Sequence, residues 1–273
     1  MRRVFLYTII STLFLLSCET EDVVLAESDQ LVVEAYLYAG RSIDSLKIYS
    51  ASNVNGAINS IDWEKLEAKI IENDSTEIIL SHRGNGEFEV HDYLVKEEAA
   101  YDLEIDYGDR LMTSNTYVYE SPKAKISDDL IYLAKIEAGG IPNFEERSDP
   151  IDITWNNTTG EYYYVVIENL ESDPEYINEK RAELEGTEGA GRFEITTEPD
   201  VMDIYSIDPF REIVYFGTHR IVVYRLNPEY AALYEGNGNS SLNLSQTTGN
   251  IDQGAGIFTG VSSDTLYLEV VKD

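Results

Sequence analysis

Apolar and polar residues alternate over long parts of the chain, a pattern typical of half-buried β-strands. In LVVEAYLY (residues 31–38), Leu31, Val33, Ala35 and Leu37 fall on one face of a strand, and the residues between them fall on the other. The same alternation predicts further strands in the first half of the chain, at 45–50, 66–72, 76–81, 86–93, 100–107 and 111–119. These short strands predict an immunoglobulin-like β-sandwich over residues 30–120.

Turn and linker signals separate these strands. The glycines in RGNG (83–86) and YGDR (107–110) lie where hairpin turns need a positive φ. Residues 121–129, SPKAKISDD, indicate a linker, because Pro122 would interrupt a strand ladder.

The second half repeats the strand pattern and adds two helix signals. Strands are predicted at 150–155, 161–170, 211–216, 219–226, 256–262 and 265–271, the first two joined as a hairpin by NNTTG. One short helix is expected from Asp173-Pro174 to near Gly186, and another from Asn227-Pro228-Glu229 to Gly236, since proline favours the first helical position and glycine follows the last. Residues 185–200 are expected to form an irregular insertion.

These patterns together define a fold class. We expect an all-β protein with two immunoglobulin/fibronectin-like β-sandwich domains, and with short helical insertions in the second domain, residues 130–273. The absence of a long amphipathic helix from the sequence supports this class.

The N-terminus carries a different pattern. Arg2 and Arg3 precede a mostly apolar run, residues 4–16, that is too short to span a membrane, so residues 1–17 are predicted to be a signal peptide. LFLLSCETED (13–22) contains Cys18, the only cysteine of the chain. Leu15-Leu16-Ser17-Cys18 resembles the bacterial lipobox, which implies cleavage before Cys18 and acylation of that residue. A dimerising or reactive thiol, an ordinary cleaved signal and a retained anchor are the alternatives.

The charge of the chain limits its partners. The sequence has 20 basic and 51 acidic residues, a formal charge of −31, which becomes −33 when Arg2 and Arg3 leave with the signal peptide. Such a body repels nucleic acid and anionic lipid headgroups, so neither is an expected partner. Attachment to a lipid bilayer would have to come from acyl chains on Cys18, with residues 18–29 as an acidic tether.

The sequence offers no candidate catalytic residue, metal ligand set or cofactor motif. His82, His91 and His219 form no helical i, i+4 pair, and no nucleophile elbow, phosphate loop or dinucleotide fingerprint is present. A carboxylate pair would occur by chance among 51 acids, and Asp128-Asp129 and Glu145-Glu146 lack calcium-loop spacing. Tyrosine is frequent, but Tyr162, Tyr163 and Tyr164 are consecutive in a strand and should point to alternating faces. We therefore expect tyrosine to serve mainly as a strand residue.

Three segments resemble a known family. LVVEAYLY (31–38), NPEYAALYE (227–235) and GNIDQGAGIFTGVSSDTLYLEV (249–270) are similar to the Bacteroidetes lipoproteins grouped as the domain of unknown function 4249 family. Ala35 stands where that family commonly has glycine, and Gln253-Gly254-Ala255-Gly256 replaces its usual NGLG. The resemblance implies an accessory surface lipoprotein of the kind often encoded beside TonB-dependent receptors. It implies no enzymatic activity and transfers no residue roles.

Two shorter likenesses concern export and modification. Glu19, Glu21 and Asp22 resemble the signal that sends Bacteroidetes lipoproteins to the outer face of the outer membrane. Asp44-Ser45-Leu46, Asp74-Ser75-Thr76 and Asp264-Thr265-Leu266 match the O-glycosylation pattern of that phylum, which would place sugars on Ser45, Ser75 and Thr265. Use of these sites requires them to be exposed.

The expected function is that of a non-enzymatic, lipid-anchored protein on the cell exterior that assists a TonB-dependent outer-membrane receptor by capturing a ligand or capping the barrel. A surface adhesion or glycan- and matrix-binding module is the second hypothesis, and a surface hydrolase is the third. Because loops carry function on rigid sandwiches, the insertion 171–210 and the loop 236–255 are the expected contact regions, although both could be tolerated surface insertions.

The lipobox generates the first testable prediction. We expect mass spectrometry of the protein from its native membrane to find Cys18 as residue one, with acyl chains on its sulfur and its amino group. Cys18→Ser should leave residues 1–17 attached. An unmodified Cys18 thiol in the native protein would contradict the lipoprotein interpretation.

Overall fold

The computed structural model describes residues 30–44, 46–51, 61–90, 92–137, 149–184, 194–235 and 249–273. The strands are β1 (Leu31–Tyr38), β2 (Leu46–Ser50), β3 (Leu66–Glu72), β4 (Thr76–Ile79), β5 (Ser81–Gly84), β6 (Glu87–Glu89), β7 (Ala99–Tyr107), β8 (Arg110–Val118), β9 (Lys125–Ile126), β10 (Leu130–Leu133), β11 (Ile151–Thr154), β12 (Tyr162–Asn169), β13 (Glu194–Thr196), β14 (Ile204–Ile207), β15 (Gly217–Leu226) and β16 (Ala255–Lys272). The helices are a 3-10 turn (Trp63–Lys65), α1 (Glu179–Leu184), α2 (Pro209–Glu212) and α3 (Pro228–Glu235).

The strands form three sheets. A nine-stranded sheet has the order β13-β12-β15-β16-β1-β2-β6-β5, and β10 also pairs with β16. A four-stranded sheet has the order β4-β3-β7-β8, and a three-stranded sheet has the order β14-β11-β9. The expected all-β fold of two sandwich-like units is therefore confirmed.

Two hydrophobic cores lie between these sheets. The first contains Val33 and Ile48 from the large sheet and Ile70 and Leu103 from the four-stranded sheet. The second contains Val165, Ile221 and Val223 from the large sheet and Ile153 and Ile207 from the three-stranded sheet. We call the two units the first lobe and the second lobe. In β1 the buried residues are Leu31, Val33, Ala35 and Leu37, as the alternation predicts.

Strand β16 belongs to both lobes. Along one edge it pairs with β1 in parallel through residues 255–261 and with β10 in parallel through residues 269–272. Along the other edge it pairs with β15 in antiparallel through residues 261–270. Phe258 lies in the first core and Leu268 and Val270 lie in the second. Because these residues are all even-numbered positions of one strand, both cores cover the same face of the large sheet.

The division predicted from the sequence, 30–120 and 130–273 with a linker at 121–129, differs from this arrangement in two places. Residues 125–126 of the expected linker form β9, which pairs with β11 in the second lobe. Residues 255–261 belong to the predicted second sandwich, but they pair with β1 and pack into the first. The segments 256–262 and 265–271, expected as separate strands, form one strand of 18 residues. A sequence pattern reveals alternation but not that two sheets share a strand.

Strand β15 pairs with residues 261–270 of β16 and leaves the preceding residues of that edge without a strand partner. There, side chains form hydrogen bonds to the backbone of β16. Asn250 Nδ2 donates to Phe258 O at 2.8 Å, and Phe258 N donates to Asn250 Oδ1 at 3.0 Å. Gly260 N donates to Thr116 Oγ1 at 2.8 Å, and Asn227 Nδ2 donates to Gly260 O at 2.9 Å. Two asparagines and a threonine thus take the place of a strand partner, which satisfies backbone groups that burial would otherwise penalise.

The expected hairpin between 150–155 and 161–170 is not formed. Strand β11 pairs with β9 and β14, whereas β12 pairs with β13 and β15. The side chain of Asn157 accepts hydrogen bonds from Gly160 N and Glu161 N at 3.0 and 2.9 Å. These hydrogen bonds close a tight turn that leads the chain from the three-stranded sheet into the large sheet.

The second lobe also corrects two local assignments. The helix expected from Asp173-Pro174 begins at Glu179 instead, since Asn178 Oδ1 caps it by accepting from Lys180 N at 3.0 Å. The residues before it form isolated bridges instead, with Tyr176 opposite Tyr215 and Ile177 N donating to Val214 O at 2.9 Å. Part of the strand expected at 211–216 is helix α2, because Asp208 Oδ1 accepts from Phe210 N at 3.0 Å and Pro209 follows the cap.

The close approach of β1 to β16 can be tested by substituting Gly256. Its φ is +103°, and a Cβ atom there would lie 1.9 Å from Val33 O, a main-chain atom that cannot move away. We expect Gly256→Ala to lower the free energy of unfolding by at least about 3 kcal/mol, from positive-φ strain and overpacking together. Chemical denaturation of the purified protein measures this loss.

Gly108→Ala is the matched control. Gly108 also has a positive φ, +73°, but nothing lies within 4 Å of the position of its Cβ. It should therefore cost about 1 kcal/mol, the backbone strain alone. Equal losses for the two variants would contradict close packing at Gly256.

Candidate functional site

Most of the residues predicted for anchoring and modification lie outside the described part of the chain. These are Cys18, Glu19, Glu21, Asp22 and Ser45. Ser75 is exposed in the β3–β4 turn, where Asn73 and Asp74 have positive φ values of 48° and 55°. Thr265 is exposed too, but its backbone lies inside β16 opposite Val222. Ser75 and Thr265 are thus accessible, and their glycosylation stays a prediction.

The expected contact loops are only partly described, since residues 185–193 and 236–248 lie outside the described residues. The described end of the second loop has a structural role. Asp252 N donates to Thr113 O at 2.8 Å, and Ser114 Oγ donates to Asn250 O at 2.8 Å. This segment therefore covers the edge of β8.

The two described histidines, His82 and His219, lie on different strands, β5 and β15. His82 stacks on Trp63 with ring centroids 4.6 Å apart, and His91 lies outside the described residues. His219 is buried, with Nδ1 3.1 Å from Gly217 O and Nε2 3.2 Å from Asn169 Nδ2. Among the described residues, no group of three or more His, Cys, Asp or Glu side chains is placed to hold a metal ion.

None of the helices in the described ranges has the length and apolar character of a membrane span.

The most distinctive surface is a tyrosine cluster on the outer face of the large sheet, opposite the two cores. It is formed by two tyrosines of β1, one each of β12 and β15, and two of helix α3: Tyr36, Tyr38, Tyr164, Tyr224, Tyr230 and Tyr234. Tyr164 and Tyr224 are cross-strand partners, and helix α3 directly follows β15. Strand pairing and one short turn therefore bring together residues that are far apart in sequence.

The rings of this cluster stack on one another. Tyr164 lies parallel to Tyr224, with centroids 4.6 Å apart, and parallel to Tyr230 at 6.1 Å. Tyr230 in turn stacks on Tyr234 at 5.8 Å and meets Tyr36 edge-on at 5.8 Å. Tyr164 is buried, whereas Tyr234 is 39% exposed. The cluster is thus a packed aromatic surface with an exposed rim.

Four hydroxyl groups of the cluster have a raised pKa and are neutral at ordinary pH. Burial raises the pKa of Tyr164, and neighbouring tyrosines add to the shift. Burial likewise raises the pKa of Tyr230, Tyr36 and Tyr38. These groups can donate and accept hydrogen bonds, but they carry no charge to a partner.

The cluster does not follow from the run Tyr162, Tyr163 and Tyr164 that stands out in the sequence. Tyr163 points away from Tyr164 and into the second core, as the alternation along a strand predicts. The spacing of Tyr36 and Tyr38 on a strand, and of Tyr230 and Tyr234 on a helix, is the signal that places each pair on one face.

An acidic groove of about 430 Å³ lies where β8 meets helix α3. Asp74, Asp102 and Glu229 line it. Burial raises the pKa of Asp102, with Asp74 and Glu104 adding to the shift. Glu229 Oε1 accepts a hydrogen bond from Thr116 Oγ1 at 3.1 Å, so it helps to hold α3 to β8.

Known proteins were compared with this chain by family model, by sequence and by structure, and the comparison with solved structures finds matches. The sequence matches no protein-family model and no curated protein. A segment of two fibronectin type III domains from chicken tenascin is similar with a TM-score of 0.23 and 12% identity, over 72% of this chain and 91% of that one. CBD12 from CALX1.2 has a TM-score of 0.23 and 10% identity, over 89% of this chain and 99% of that one.

A DUF4785 family protein from Legionella pneumophila is also similar, with a TM-score of 0.23 and 10% identity. The match covers 70% of this chain and 51% of that one, so the chain spans about half of that protein. Similarities this weak carry no argument about function.

His219 generates a prediction about pH. Burial lowers its pKa below the ordinary value of 6.5, although Gly217 O, Glu269 and Glu171 oppose the shift. Below pH 6.5 the unfolded chain then binds more protons at this position than the folded chain does. The contribution of His219 to stability is therefore fully present above pH 6.5 and decreases as the pH falls below it. We expect the contribution of His219, measured as the difference in the free energy of unfolding between the wild type and His219→Gln, to decrease from pH 7 to pH 5.

Denaturant titrations at each pH measure this effect. The window stops at pH 5 because Glu72 and Glu175, whose pKa values are lowered by lysine hydrogen bonds, lose their stabilising charge only at lower pH. His82→Gln is the matched control, and an equal change in both variants would contradict the role of His219.

Proposed function

We propose that the protein is a non-enzymatic, lipid-anchored protein of the outer cell surface that assists a TonB-dependent outer-membrane receptor, by capturing its ligand or capping its barrel. The lipobox at Cys18 and the acidic residues Glu19, Glu21 and Asp22 support the anchor and its outward orientation. The resemblance to the domain of unknown function 4249 family supports the receptor. The bilayer is contacted through the acylated Cys18.

The tyrosine cluster is the observation that carries the partner-binding part of this proposal. Tyrosine is enriched at protein interfaces, because its ring gives a large contact area at low entropic cost while its hydroxyl stays available for hydrogen bonds. The rings lie on three strands of the large sheet and on helix α3, and they pack against one another. Their positions are therefore fixed in the free protein. Preorganised side chains of this kind lose little freedom on binding.

Binding through the cluster can be tested with Tyr234→Ala. Tyr234 is 39% exposed and stacks on Tyr230, so its removal should weaken a partner contact without unfolding the sheet. In mild-detergent extracts of the native membrane, we expect the tagged protein to copurify with an outer-membrane barrel, and Tyr234→Ala to reduce the recovered barrel about tenfold, equivalent to about 1.4 kcal/mol.

Tyr267→Ala is the matched control. Tyr267 is 55% exposed on β16, at the same parity as Val261, and so lies on the same outer face but beyond the cluster. It should leave copurification unchanged. Recovery of the wild-type protein with no barrel would count against the receptor role, and equal losses in both variants would count against the cluster as the contact.

A surface adhesion or glycan-binding module is the second candidate, because stacked aromatic rings also bind the apolar faces of sugars. It differs from the first candidate by predicting binding to whole cells or polymers that contain no receptor. A surface hydrolase would need the acidic groove of Asp74, Asp102 and Glu229 as its site. The structural hydrogen bond of Glu229 to Thr116 makes that assignment the weakest of the three.

A further inference from the structure

A buried histidine near the start of β15 has hydrogen-bonding partners that the surrounding main chain fixes. His219 and Asn169 lie opposite each other in the β12–β15 pair, and they are 4% and 2% exposed. His219 has the same parity as Ile221 and Val223, so it lies on the core side of the large sheet. The tyrosine cluster lies on the other face. This histidine is therefore separate from the proposed partner surface.

Two main-chain groups determine the orientation of the Asn169 amide. Its Nδ2 donates to Phe216 O at 3.1 Å, and its Oδ1 accepts from Glu171 N at 3.0 Å. A main-chain carbonyl only accepts and a main-chain N–H only donates, so the amide cannot turn over without losing both bonds. The remaining hydrogen of Nδ2 is therefore the one shared with His219 Nε2, which lies 3.2 Å away.

This arrangement selects the neutral form of the histidine ring. Since Nε2 accepts from Asn169, the ring proton is on Nδ1, which lies 3.1 Å from Gly217 O and donates to it. A second proton on Nε2 would place one N–H group against another. Turning the Asn169 amide to accept that proton would break its bonds to Phe216 O and Glu171 N. The neutral ring thus fits the closed site, and the protonated ring does not.

The segment after β12 is attached to β15 through neighbouring contacts. Leu170 N donates to Thr218 O at 2.9 Å, and Thr218 N donates to Glu171 Oε1 at 3.1 Å. Glu171 packs so closely that a Cβ atom on Gly217 would lie 2.4 Å from its Cγ. Asn169 connects this attachment to His219, because its amide bonds both the Glu171 main chain and the ring.

Burial and charge act on His219 in opposite directions. Burial lowers its pKa below 6.5, whereas the hydrogen bond to Gly217 O and the carboxylates of Glu269 and Glu171 favour the protonated ring. The other charged groups of the surrounding elements are paired or exposed: Glu168 with Arg220 on the outer face, Glu175 with Lys135 and Lys272, and Asp173. Opening the site removes the burial, so the opened site binds a proton more tightly than the closed one.

We propose that His219 and Asn169 form a pH-sensitive latch, in which protonation of His219 in a mildly acidic medium releases the segment after β12 from β15. The contacts that open are those of Asn169, Leu170 and Glu171, and the rest of the β12–β15 pairing stays closed. This inference goes beyond the proposed function and does not depend on it. Glu171 is the first residue of the insertion 171–210, so the latch controls how that insertion is attached to the sheet.

Amide hydrogen exchange of the purified full-length protein in detergent measures the latch directly. Protection factors, which already correct for the intrinsic pH dependence of exchange, are compared at pH 7 and pH 5 for Leu170, Thr218 and the core residue Val223. We expect Leu170 and Thr218 to be less protected than Val223 at both pH values, because they open locally. Their protection should fall about tenfold from pH 7 to pH 5, since proton uptake favours the open state.

His219→Gln should abolish this fall in protection, because its side-chain oxygen accepts from Asn169 but does not titrate. His82→Gln, at the exposed histidine of β5, is the matched control and should retain the fall.

The wild-type protein alone can also overturn the latch, whether or not the variant folds. Nitrogen NMR of the His219 ring should show the proton on Nδ1 at pH 7, and a proton on Nε2 would contradict the arrangement. Protection of Leu170 and Thr218 that is independent of pH, or equal to that of Val223, would exclude a local release.

Discussion

The fold depends on the pairing of β16 with strands from both lobes. Its first residues complete the first lobe beside β1, and its last residues complete the second lobe beside β15 and β10. Since β1 begins at Leu31 and β16 ends at Lys272, the large sheet joins the two ends of the described chain. Neither lobe has its full sheet until the C-terminal strand is in place. We therefore expect the lobes to fold and unfold together, unlike two domains on a flexible linker.

The same strand explains why the regions around it are tightly packed. A Cβ at Gly256 would collide with Val33 O, and a Cβ at Gly260 would lie 2.6 Å from Tyr117 O. Asn227, which bonds to Gly260, immediately precedes the helix that carries Tyr230 and Tyr234. The buried polar contacts that close the edge of β16 thus also position the tyrosine cluster. Structure and candidate function share one set of constraints.

The alternation of the sequence predicts most strands of the first lobe, but β5 (Ser81–Gly84) was not expected, and the strand expected at 86–93 ends at Glu89. Strands β1, β3 and β7 lie within a residue of the expected ranges, since one face of each is buried and the other is partly exposed. The helix after Asn227 was also expected from local signals. These features are local, so the sequence pattern contains them.

What the sequence pattern could not predict is the pairing between distant strands. The alternation does not reveal that β11 and β12 lie in different sheets, nor that β16 runs through both lobes. The tyrosine cluster could not be predicted for the same reason. It takes residues from several elements, such as Tyr36 with Tyr230. Only the register of the sheet brings them together.

The high negative charge of the protein limits where a partner can make close contact. Many lysines are used in ion pairs with neighbouring acids, as in Lys69 with Glu77 and Glu104, and Lys135 with Glu175 and Glu179. The remaining acidic surface repels other acidic surfaces, but salt screens that repulsion beyond about 8 Å at physiological ionic strength. Close contact must then occur where the protein is neutral. The tyrosine cluster offers such a surface, because its stacked rings bring hydroxyl groups rather than carboxylates to the contact and Tyr234 at its rim stays exposed.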